Sequence, residues 1–339
     1  MSDTVVRIGI IGAGQVAWRH AAAYAAHPRA QLVGVVDVDE SRAIALASQF
    51  GTRAYTTYDA LLLHEQMDAV SICLPHALHR EVAIACAKNG LHILTEKPID
   101  TTLQAARDII TACEQQDVRL MLGFVHRFRP EVLQAKRLLA DGVIGPVATA
   151  HDAFCSLGGS HPPGWVWDRA MAGGGVLMYG GVHALDRLRW LLGAEVEEVT
   201  AYTARYGGFG DVEDGLVAIL RFSNGALGSI FENSPPFRTG AGWITELFGP
   251  AGSIRIKTGE WLEVSTPAGM ETHPVSDSAH FDREIAEFMA SILEHRPPAV
   301  TGEDGYRALA IALAIYRSAE TGRPVRVADV DLTHKMSLP

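Results

Sequence analysis

The feature of this sequence that most restricts its fold is a short apolar strand followed by a glycine pair and a helical run. The run from Val5 to Ile11 is β-branched and apolar, as is typical of a parallel strand buried on both faces. It leads into Gly12-Ala-Gly14-Gln-Val-Ala17, which fits the pattern G-x-G-x-x-G/A, and then into a helical run from Trp18 to Ala26. In such a unit Gly12 permits the tight turn, and Gly14 lets the backbone approach a pyrophosphate at the helix N-terminus. The pattern predicts a dinucleotide-binding Rossmann domain.

A carboxylate after the second strand predicts which dinucleotide binds. The strand Gln31 to Val36 ends at Asp37, close to where an acidic residue accepts hydrogen bonds from the adenosine ribose hydroxyls. A carboxylate there would repel a 2′-phosphate, so we predict NAD, with NADP as the alternative if Arg42 turns inward. Asp37 has a second interpretation, as the N-cap of a helix from Glu40 to Phe50.

Strand and helix patterns continue to alternate up to residue 124, which predicts βαβ units and a parallel sheet with right-handed crossovers. The remaining predicted strands are Ala69 to Leu74, His92 to Thr95 and Arg119 to Phe124, and the remaining helices are Tyr58 to His64, His79 to Asn89 and Thr102 to Gln116. Ligands of such sheets bind outside the carboxyl ends of the strands. The predicted cofactor-binding residues are Gly12, Gly14, Gln15, Val16, Asp37, Leu74, Pro75, His79, Glu96 and Lys97.

Two histidines in this half, His76 and His79, have a spacing seen in metal sites. No third or fourth ligand lies nearby in sequence, and zinc normally takes at least three protein ligands. We therefore predict no metal, and we expect this turn to pack under the nicotinamide end of the cofactor.

From Val147 onward the pattern changes to alternating apolar and polar residues separated by turn signals, which is typical of antiparallel strands with one covered face. These strands are Val199 to Tyr206, Gly215 to Phe222, Ala226 to Glu232, Ile244 to Phe248, Ser253 to Lys257 and Trp261 to Ser265. Helices are predicted at Pro130 to Asp141, Phe281 to His295 and Gly305 to Ala319. The chain thus divides into residues 1–124 and 125–339, the second an α/β domain with an open, mostly antiparallel sheet. A free sheet face often pairs with a second subunit, so we expect a homodimer or homotetramer.

A glycine-rich helix start is the strongest candidate for chemistry in the second half. Gly173-Gly-Gly175 leads into an apolar run of helical spacing, Val176 to Leu192. Tyr179, His183 and Arg187 recur every four residues, so one helical face would aim a phenol and an imidazole at the same spot. The alternative is a packed helix with a core histidine.

Composition and charge favour a small-molecule partner. Of 339 residues, 48% are apolar and 20% are charged, as in a globular protein. The net charge of −10 argues against binding to nucleic acid or to an anionic membrane. The N-terminus lacks a signal-peptide pattern. Four cysteines, scattered in apolar surroundings, indicate thiols in a reducing compartment, so we expect a cytoplasmic protein: Cys73, Cys86, Cys113 and Cys155.

Over essentially its whole length the chain resembles the Gfo/Idh/MocA oxidoreductases, the glucose-fructose oxidoreductase and inositol dehydrogenase family. The residues that carry the resemblance are Gly12-Ala-Gly14, Glu96-Lys97-Pro98, Gly123-Phe124 with Arg127-Phe128, Gly173-Gly-Gly175 through Gly181, His183 and Asp186, and Thr301-Gly-Glu-Asp304-Gly. The resemblance implies a Rossmann domain, an α/β domain with an open sheet, and hydride transfer between a nicotinamide and a carbohydrate or polyol. It also implies that Lys97 and His183 lie beside the reacting carbon of the substrate.

The chemistry of these two side chains suits alcohol oxidation. The hydroxyl proton must leave as hydride moves to the nicotinamide, and histidine is a base suited to neutral pH. A lysine ammonium stabilises the developing alkoxide. We therefore predict His183 as general base, with Lys97 as its electrostatic partner. Inositol dehydrogenase-like members usually carry an aspartate four residues before the histidine, where this chain has Tyr179, and we count that phenol as a third catalytic candidate.

The predicted substrate contacts are Lys97, Arg127, Trp165, Trp167, Asp168, Tyr179 and His183. The tryptophans offer flat apolar faces to a sugar ring, or they belong to the domain core.

Two other functions fit the same residues. One is a glycosidase that oxidises its substrate only transiently, and the other is a non-catalytic NAD sensor, which would not need Lys97 and His183.

Overall fold

The helices and strands of the chain alternate in its first part and give way to a run of strands in its second. The computed structural model describes residues 4–155, 163–207, 210–234, 242–275 and 277–332. The strands, numbered in chain order, are β1 Val6–Ile11, β2 Ala30–Val36, β3 Arg53–Tyr55, β4 Ala69–Ile72, β5 His92–Thr95, β6 Leu120–Leu122, β7 Thr149–Cys155, β8 Val196–Ala204, β9 Gly215–Phe222, β10 Leu227–Asn233, β11 Gly242–Gly249, β12 Gly252–Lys257, β13 Trp261–Thr266, β14 Gly269–Pro274 and β15 Val325–Arg326. The helices are α1 Gln15–Ala26, α2 Glu40–Gln49, α3 Tyr58–His64, α4 His79–Lys88, α5 Leu103–Gln115, α6 Pro130–Ala140, α7 Arg169–Ala172, α8 Val182–Leu192, α9 His280–Leu293 and α10 Gly302–Thr321.

The chain forms two units. The first comprises Met1–Val125 and Ala279–Tyr306, and the second His126–Ser278 and Arg307–Pro339. Ala279–Tyr306, which the sequence-based division placed in the second domain, groups instead with the first unit, because α9 packs against α1.

A six-stranded parallel sheet with strand order β3-β2-β1-β4-β5-β6 forms the centre of the first unit. The predicted Rossmann sheet is therefore confirmed. Its core strand β1 is buried on both faces, since the neighbouring residues Ile10 and Ile11, whose side chains point to opposite faces, are 0% and 1% exposed. At the starts of α3 and α5, the hydroxyl oxygens of Thr57 and Thr102 accept hydrogen bonds from the amides of Ala60 and Ala105. The unpredicted strand β3 has only three residues, too few for an alternation to show.

The second unit is built on a nine-stranded sheet with strand order β14-β13-β12-β11-β7-β10-β9-β8-β15. Its neighbours pair antiparallel, except that β7 and β10 run parallel. The open, mostly antiparallel sheet is thus confirmed. The central strand β7 was not predicted, because His151 and Asp152 interrupt its apolar pattern. Ile230, Leu247 and Ile254 are fully buried on the inward face.

The helix predicted from Val176 to Leu192 is not uniform. Leu177–Gly181 forms a π-helical turn, and the α-helix α8 begins only at Val182. Because a π-helical turn changes the angle between successive side chains, the spacing of four does not keep all three polar residues in one environment. Tyr179 is 38% exposed, whereas His183 is 7% and Arg187 0% exposed. Elsewhere, none of the described helices is both long and apolar enough to cross a membrane.

Candidate active site

The glycine turn between β1 and α1 has the geometry of a nucleotide-binding loop. Gly12 has φ +97°, and a Cβ on it would lie 2.2 Å from the carbonyl oxygen of Cys73, so only glycine fits. A Cβ on Gly14 would meet nothing within 4 Å. Helix α1 has no side-chain cap and no acidic residue in its first turn, where Gln15 is exposed and Val16 half-buried. Its N-terminal amide groups and positive dipole end suit a pyrophosphate.

Asp37 lies at this loop rather than at a helix cap. Its Oδ2 accepts a hydrogen bond from the amide of Ala13 at 2.8 Å, and its Oδ1 accepts one from the amide of Asp39 at 2.9 Å. Asp39 caps α2, by accepting hydrogen bonds from the amides of Ser41 and Arg42. The N-cap interpretation of Asp37 is therefore wrong, and its carboxylate stands beside the glycine turn, as a ribose contact requires.

The loops that follow β4 and β5 are joined through one buried histidine. Nε2 of His79 lies 2.9 Å from the carbonyl oxygen of Leu74, and Nδ1 lies 3.0 Å from that of Pro98. Pro98 follows Lys97 through a cis peptide bond. The imidazole of His76 packs edge-on against that of His79, with 6.1 Å between ring centroids. Both nitrogens of His79 are thus directed at main-chain oxygens, which fixes the loop that carries Lys97.

Lys97 itself is half-buried, and burial lowers the pKa of its ammonium, although Glu96 opposes that effect. Burial would raise the pKa of the neighbouring Glu96, but attraction to His20 and Lys97 outweighs it, so the pKa is lowered overall. Nε2 of His20 lies 3.3 Å from Oε1 of Glu96. A lysine with a lowered pKa gives up a proton more readily, which suits a residue that assists proton transfer.

A second acid, Glu284 of α9, lies against this group. Its Oε2 is 3.9 Å from Nε2 of His20, and its side chain is fully buried. Burial, and then the charge of Glu96, raise the pKa of Glu284 well above its usual value. Neither carboxyl oxygen of Glu284 has a hydrogen-bond partner in the described part of the chain. The first unit thus holds a buried cluster next to Lys97, which contains two carboxyl groups and an imidazole.

In the second unit, the imidazole of His183 lies flat against that of His126. The ring centroids are 4.2 Å apart and the planes differ by 12°. Trp243 packs edge-on against His126, with 4.5 Å between centroids. His126 belongs to a short 3-10 turn, Val125–Phe128, and His183 to the first turn of α8. The histidine that the sequence singled out therefore lies in an aromatic setting formed by residues distant in sequence.

Arg127 fastens the 3-10 turn to α8. Its Nε and Nη2 donate to the two carboxylate oxygens of Asp186, at 2.8 Å and 2.5 Å, and both side chains are buried. A bidentate pair of this kind fixes orientation as well as distance. The structure thus gives Arg127 a supporting role, while the substrate contact predicted for it stays a prediction.

A fully buried ion pair supports Trp243 and the sheet below α8. Nη2 of Arg187 donates to Oδ2 of Asp152 at 2.7 Å. Asp152 also accepts from Nε1 of Trp243 at 2.6 Å and from Oγ1 of Thr245 at 2.7 Å. Glu232 is fully buried nearby, and burial, then the charge of Asp152, raise its pKa well above the usual value. The strand residues of this second cluster lie on β7, β10 and β11.

The glycines at the start of the helix serve packing. A Cβ on Gly174 would lie 2.1 Å from Oη of Tyr316, and one on Gly175 would lie 1.8 Å from the carbonyl oxygen of Glu213. The carboxylate of Glu213 accepts hydrogen bonds from the amides of Gly175 and Leu177, at 2.8 Å and 3.0 Å. Gly174 and Gly175 therefore serve close packing, because the side chain of Tyr316 and the main chain of Glu213 occupy the space where a Cβ would lie.

The other predicted substrate contacts are more exposed. Trp165 and Trp167 are half-buried on either side of the buried Val166. The exposed carboxylate of Asp168 accepts from the amide of Ala170 at 2.9 Å and caps α7. The structure does not test their contact with substrate, and these roles stay predictions.

Several residues of both clusters escaped the sequence analysis. For the acids among them, the signal available was a carboxylate at an inward position of a strand or helix, among residues that are otherwise apolar. The residues concerned are His20, Asp152, Glu213, Glu232, Trp243 and Glu284. Within the described ranges, no group of three or more histidine, cysteine, aspartate or glutamate side chains is placed to hold a metal ion.

Comparison with known families gives a match over both halves of the chain. Residues 6–124 match a model described as an oxidoreductase family with an NAD-binding Rossmann fold. Residues 136–327 match the C-terminal α/β domain of the same oxidoreductase family.

Characterised relatives align over nearly the whole chain. The sequence is 31% identical over 336 residues to inositol 2-dehydrogenase of Rhizobium meliloti (strain 1021), covering 95% of this chain and 99% of that protein. It is 29% identical to D-glucoside 3-dehydrogenase of Escherichia coli (strain K12), with 96% and 99% covered. A solved structure of levoglucosan dehydrogenase with NADH and levoglucosan has a TM-score of 0.87 and 26% identity, covering 96% of this chain and all of that one, 100%.

Proposed function

Because the chain belongs to the Gfo/Idh/MocA family of NAD-dependent oxidoreductases, we propose that it oxidises a secondary alcohol of a sugar, sugar derivative or cyclitol. The relatives named for their substrates act on inositol and on a glucoside. The observation that carries the proposal is that the two residues needed for proton transfer are both present in supported positions. Lys97 follows β5 in the nucleotide-binding unit, and His183 is held in the first turn of α8.

NAD accepts a hydride at C4 of its nicotinamide when it is bound. The glycine turn at Gly12 and Gly14 and the carboxylate of Asp37 would hold it, because they offer amide donors to phosphate and an acceptor to ribose hydroxyls. The placement of Asp37 favours NAD over NADP.

In the proposed reaction His183 takes the proton of the substrate hydroxyl, while hydride leaves the same carbon and a carbonyl forms. The Lys97 ammonium stabilises the negative charge that develops on the oxygen. Since the pKa of Lys97 is lowered, we expect activity to fall on the alkaline side at a pH below the usual lysine value. Tyr179, where related enzymes carry an aspartate, is proposed to donate to the substrate.

We also propose that the chain forms a homodimer or homotetramer through the free face of its open sheet. Side chains paired across β8, β9 and β10 present an apolar row there, with Tyr202 opposite Val217 and Val217 opposite Phe231. Their exposed fractions are 68%, 49% and 40%. A contiguous apolar patch on a sheet face favours a symmetric protein contact.

A cytoplasmic location is part of the same proposal. All four cysteines are thiols rather than disulfides, and Cys73, Cys86 and Cys113 are buried. Burial raises the pKa of Cys86 and of Cys113 to about 12, so both side chains stay in the unreactive thiol form. Free thiols of this kind are typical of proteins in a reducing compartment.

The proposed function is tested by following NADH absorbance with purified protein, NAD or NADP, and a panel of aldoses, anhydrosugars, amino sugars and inositols. Growth of the signal with one substrate class supports the dehydrogenase and identifies its preference. If NAD binds but no member of the panel reacts, the dehydrogenase is excluded for these substrates. Conversion of a glycoside without net NADH would then identify the transient-redox glycosidase, and binding alone would identify the sensor.

A further inference from the structure

The pairing of His126 with His183 is a feature of the second unit that alcohol oxidation does not by itself require. The two rings come from segments 57 positions apart in sequence and meet as parallel plates, 4.2 Å between centroids. Both are nearly buried, at 6% and 7% exposure. Parallel aromatic rings at this separation restrict each other's rotation, because a turned ring would collide with its neighbour.

The surroundings hold the pair rigidly. The Arg127–Asp186 pair joins the residue after His126 to the helical turn that follows His183. Trp243 packs edge-on against His126, and its Nε1 donates a hydrogen bond to Asp152. The 3-10 turn, α8 and the strand that carries Trp243 are therefore each held by a charge-assisted hydrogen bond.

The charged groups near the pair are two ion pairs, and the buried acid Glu232, whose pKa is raised by burial and by the charge of Asp152, lies beside the second of them. Arg127 is paired with Asp186, and Arg187, which lies 4.9 Å from the centroid of Trp243, is paired with Asp152. No net charge from these pairs stabilises a doubly protonated histidine pair. Two positive imidazolium rings this close repel each other, so the pair accepts one proton readily and a second only at lower pH.

We propose that His126 is a positioning residue that holds the His183 ring flat and makes the two imidazoles take up protons as one coupled unit. This inference depends on the proposed function in one respect only, namely that His183 is the residue that takes the proton of the substrate hydroxyl. In that reaction one proton passes from the hydroxyl to the pair and no second proton is needed.

Two substitutions separate the geometric from the electrostatic part of this role. His126→Phe keeps a flat ring beside His183 but removes the titrating nitrogens. His126→Ala removes the ring and lets His183 rotate. We expect the alanine variant to lose about tenfold to a hundredfold in kcat, with KM changed much less, because a misplaced base fails chiefly in the chemical step. We expect the phenylalanine variant to retain most of its kcat at the optimum pH.

The decisive readout is the acid side of the pH profile of kcat/KM. With two coupled rings the wild-type profile falls in two steps, whereas His126→Phe falls in one. Only the unprotonated pair can take the substrate proton without becoming doubly charged. One pH unit below the midpoint of the variant, we therefore expect the variant to keep about twofold more of its maximal activity than the wild type does, as follows when two equivalent sites share one proton. Identical single-step profiles for wild type and His126→Phe would overturn the coupling, and an alanine variant as active as wild type would overturn the positioning.

A second measurement keeps the inference independent of turnover. The Cε1 proton signals of the histidines are followed by NMR against pH in the wild type, His126→Phe and His183→Phe, all with NADH present. A coupled pair gives a two-step shift for each ring in the wild type and a single step for the ring that remains in each variant. Two-step shifts in a wild-type protein that oxidises no substrate of the panel would support the coupled pair and refute the proposed function. Single-step shifts in a wild-type protein that does oxidise a substrate would refute the coupled pair and support the proposed function.

Discussion

Both units bury two carboxyl groups near each other, Glu96 with Glu284 in the first and Asp152 with Glu232 in the second. In each pair one acid lies close to a basic side chain, and the carboxyl oxygens of the other lack a hydrogen-bond partner in the part of the chain that the structure describes. Glu284 and Glu232 are fully buried, and within the described ranges neither has a hydrogen-bond partner for its oxygens. In both, burial is the main cause of a raised pKa, and the neighbouring carboxylate adds to it.

The two clusters differ in the basic side chain beside them. In the first unit it is the imidazole of His20, 3.3 Å from Glu96, and in the second it is the guanidinium of Arg187, 2.7 Å from Asp152. A guanidinium stays charged at every pH at which proteins fold, whereas imidazole is the side chain that exchanges its proton near neutrality. The cluster under α8 therefore contains a permanently charged ion pair, whereas the cluster next to Lys97 sets its two acids beside an imidazole.

The largest effect on stability is expected when the permanent cation is removed. Arg187→Met leaves Asp152 as a buried carboxylate without its counter-ion, which should lower the free energy of unfolding by about 3–5 kcal/mol. Urea denaturation at pH 6 and pH 8 should show similar losses, because a guanidinium does not titrate between them. Arg80→Met, which breaks an ion pair of an arginine that is 52% exposed, is the control and should cost less than about 1 kcal/mol. Equal losses in the two variants would contradict the supporting role.

A smaller effect of opposite sign is expected for the unsupported acid of the first cluster. The pKa of Glu284 is raised in the folded state, so folding takes up a proton, and the stability that this provides is lost as pH rises from the unfolded value near 4.3. Glu284→Gln cannot titrate. The variant should match wild type near pH 4 and exceed it increasingly as pH rises, by up to about 1.4 kcal/mol per pH unit within the titration range.

Thermal unfolding of wild type and Glu284→Gln across pH 4 to 8 measures this difference. Glu232→Gln, with the same cause of a raised pKa, should give a difference of the same sign. The exposed Glu197 provides the control, as Glu197→Gln also removes one carboxyl group. Parallel curves for Glu284→Gln and Glu197→Gln would show that Glu284 does not take up a proton on folding.

The smallest expected effect, which concerns cofactor selection rather than stability, involves a carboxylate outside both clusters. Asp37 is half-buried at the glycine turn, and its proposed role concerns the cofactor alone. Asp37→Ala should reduce the preference for NAD over NADP by about tenfold, or about 1.4 kcal/mol, because one charged hydrogen bond to ribose is lost and a repulsion of 2′-phosphate is removed. Titration of both nucleotides by fluorescence measures the ratio. An unchanged ratio would exclude Asp37 from cofactor selection.

The same contrast between the units explains what could be predicted from the sequence. The nucleotide-binding part of the first unit is encoded by contiguous patterns, whereas its segment Ala279–Tyr306, which carries Glu284, comes from far along the chain and was assigned to the wrong domain. The turn at Gly12 and Gly14, the acid at Asp37 and the strand before Lys97 each depend on neighbours in sequence, and all were placed correctly along the chain. A Rossmann cofactor site can be predicted from sequence because its residues directly follow the strands, whose patterns are local.

The second unit is assembled from distant segments, and its site could be predicted only in part. His183 was singled out by its helix, but its partner His126 lies in another segment, and Trp243 comes from a strand far along the chain. The break at Leu177–Gly181 was missed because a π-helical turn leaves no periodic signal of its own. In the sequence, a buried acid such as Glu232 cannot be distinguished from an exposed polar residue, because the sequence alone does not show which face of the sheet it lies on.

The central claim, that Lys97 supplies chemistry rather than structure, is tested most directly by Lys97→Ala. NADH formation with the best substrate of the panel should fall by about 10²- to 10³-fold in kcat, while the dissociation constant for NADH, measured by fluorescence, stays within a factor of about three. Lys88→Ala, at an exposed position of the same unit, should leave both unchanged. Turnover of Lys97→Ala close to wild type, or loss of NADH binding together with turnover, would contradict the account.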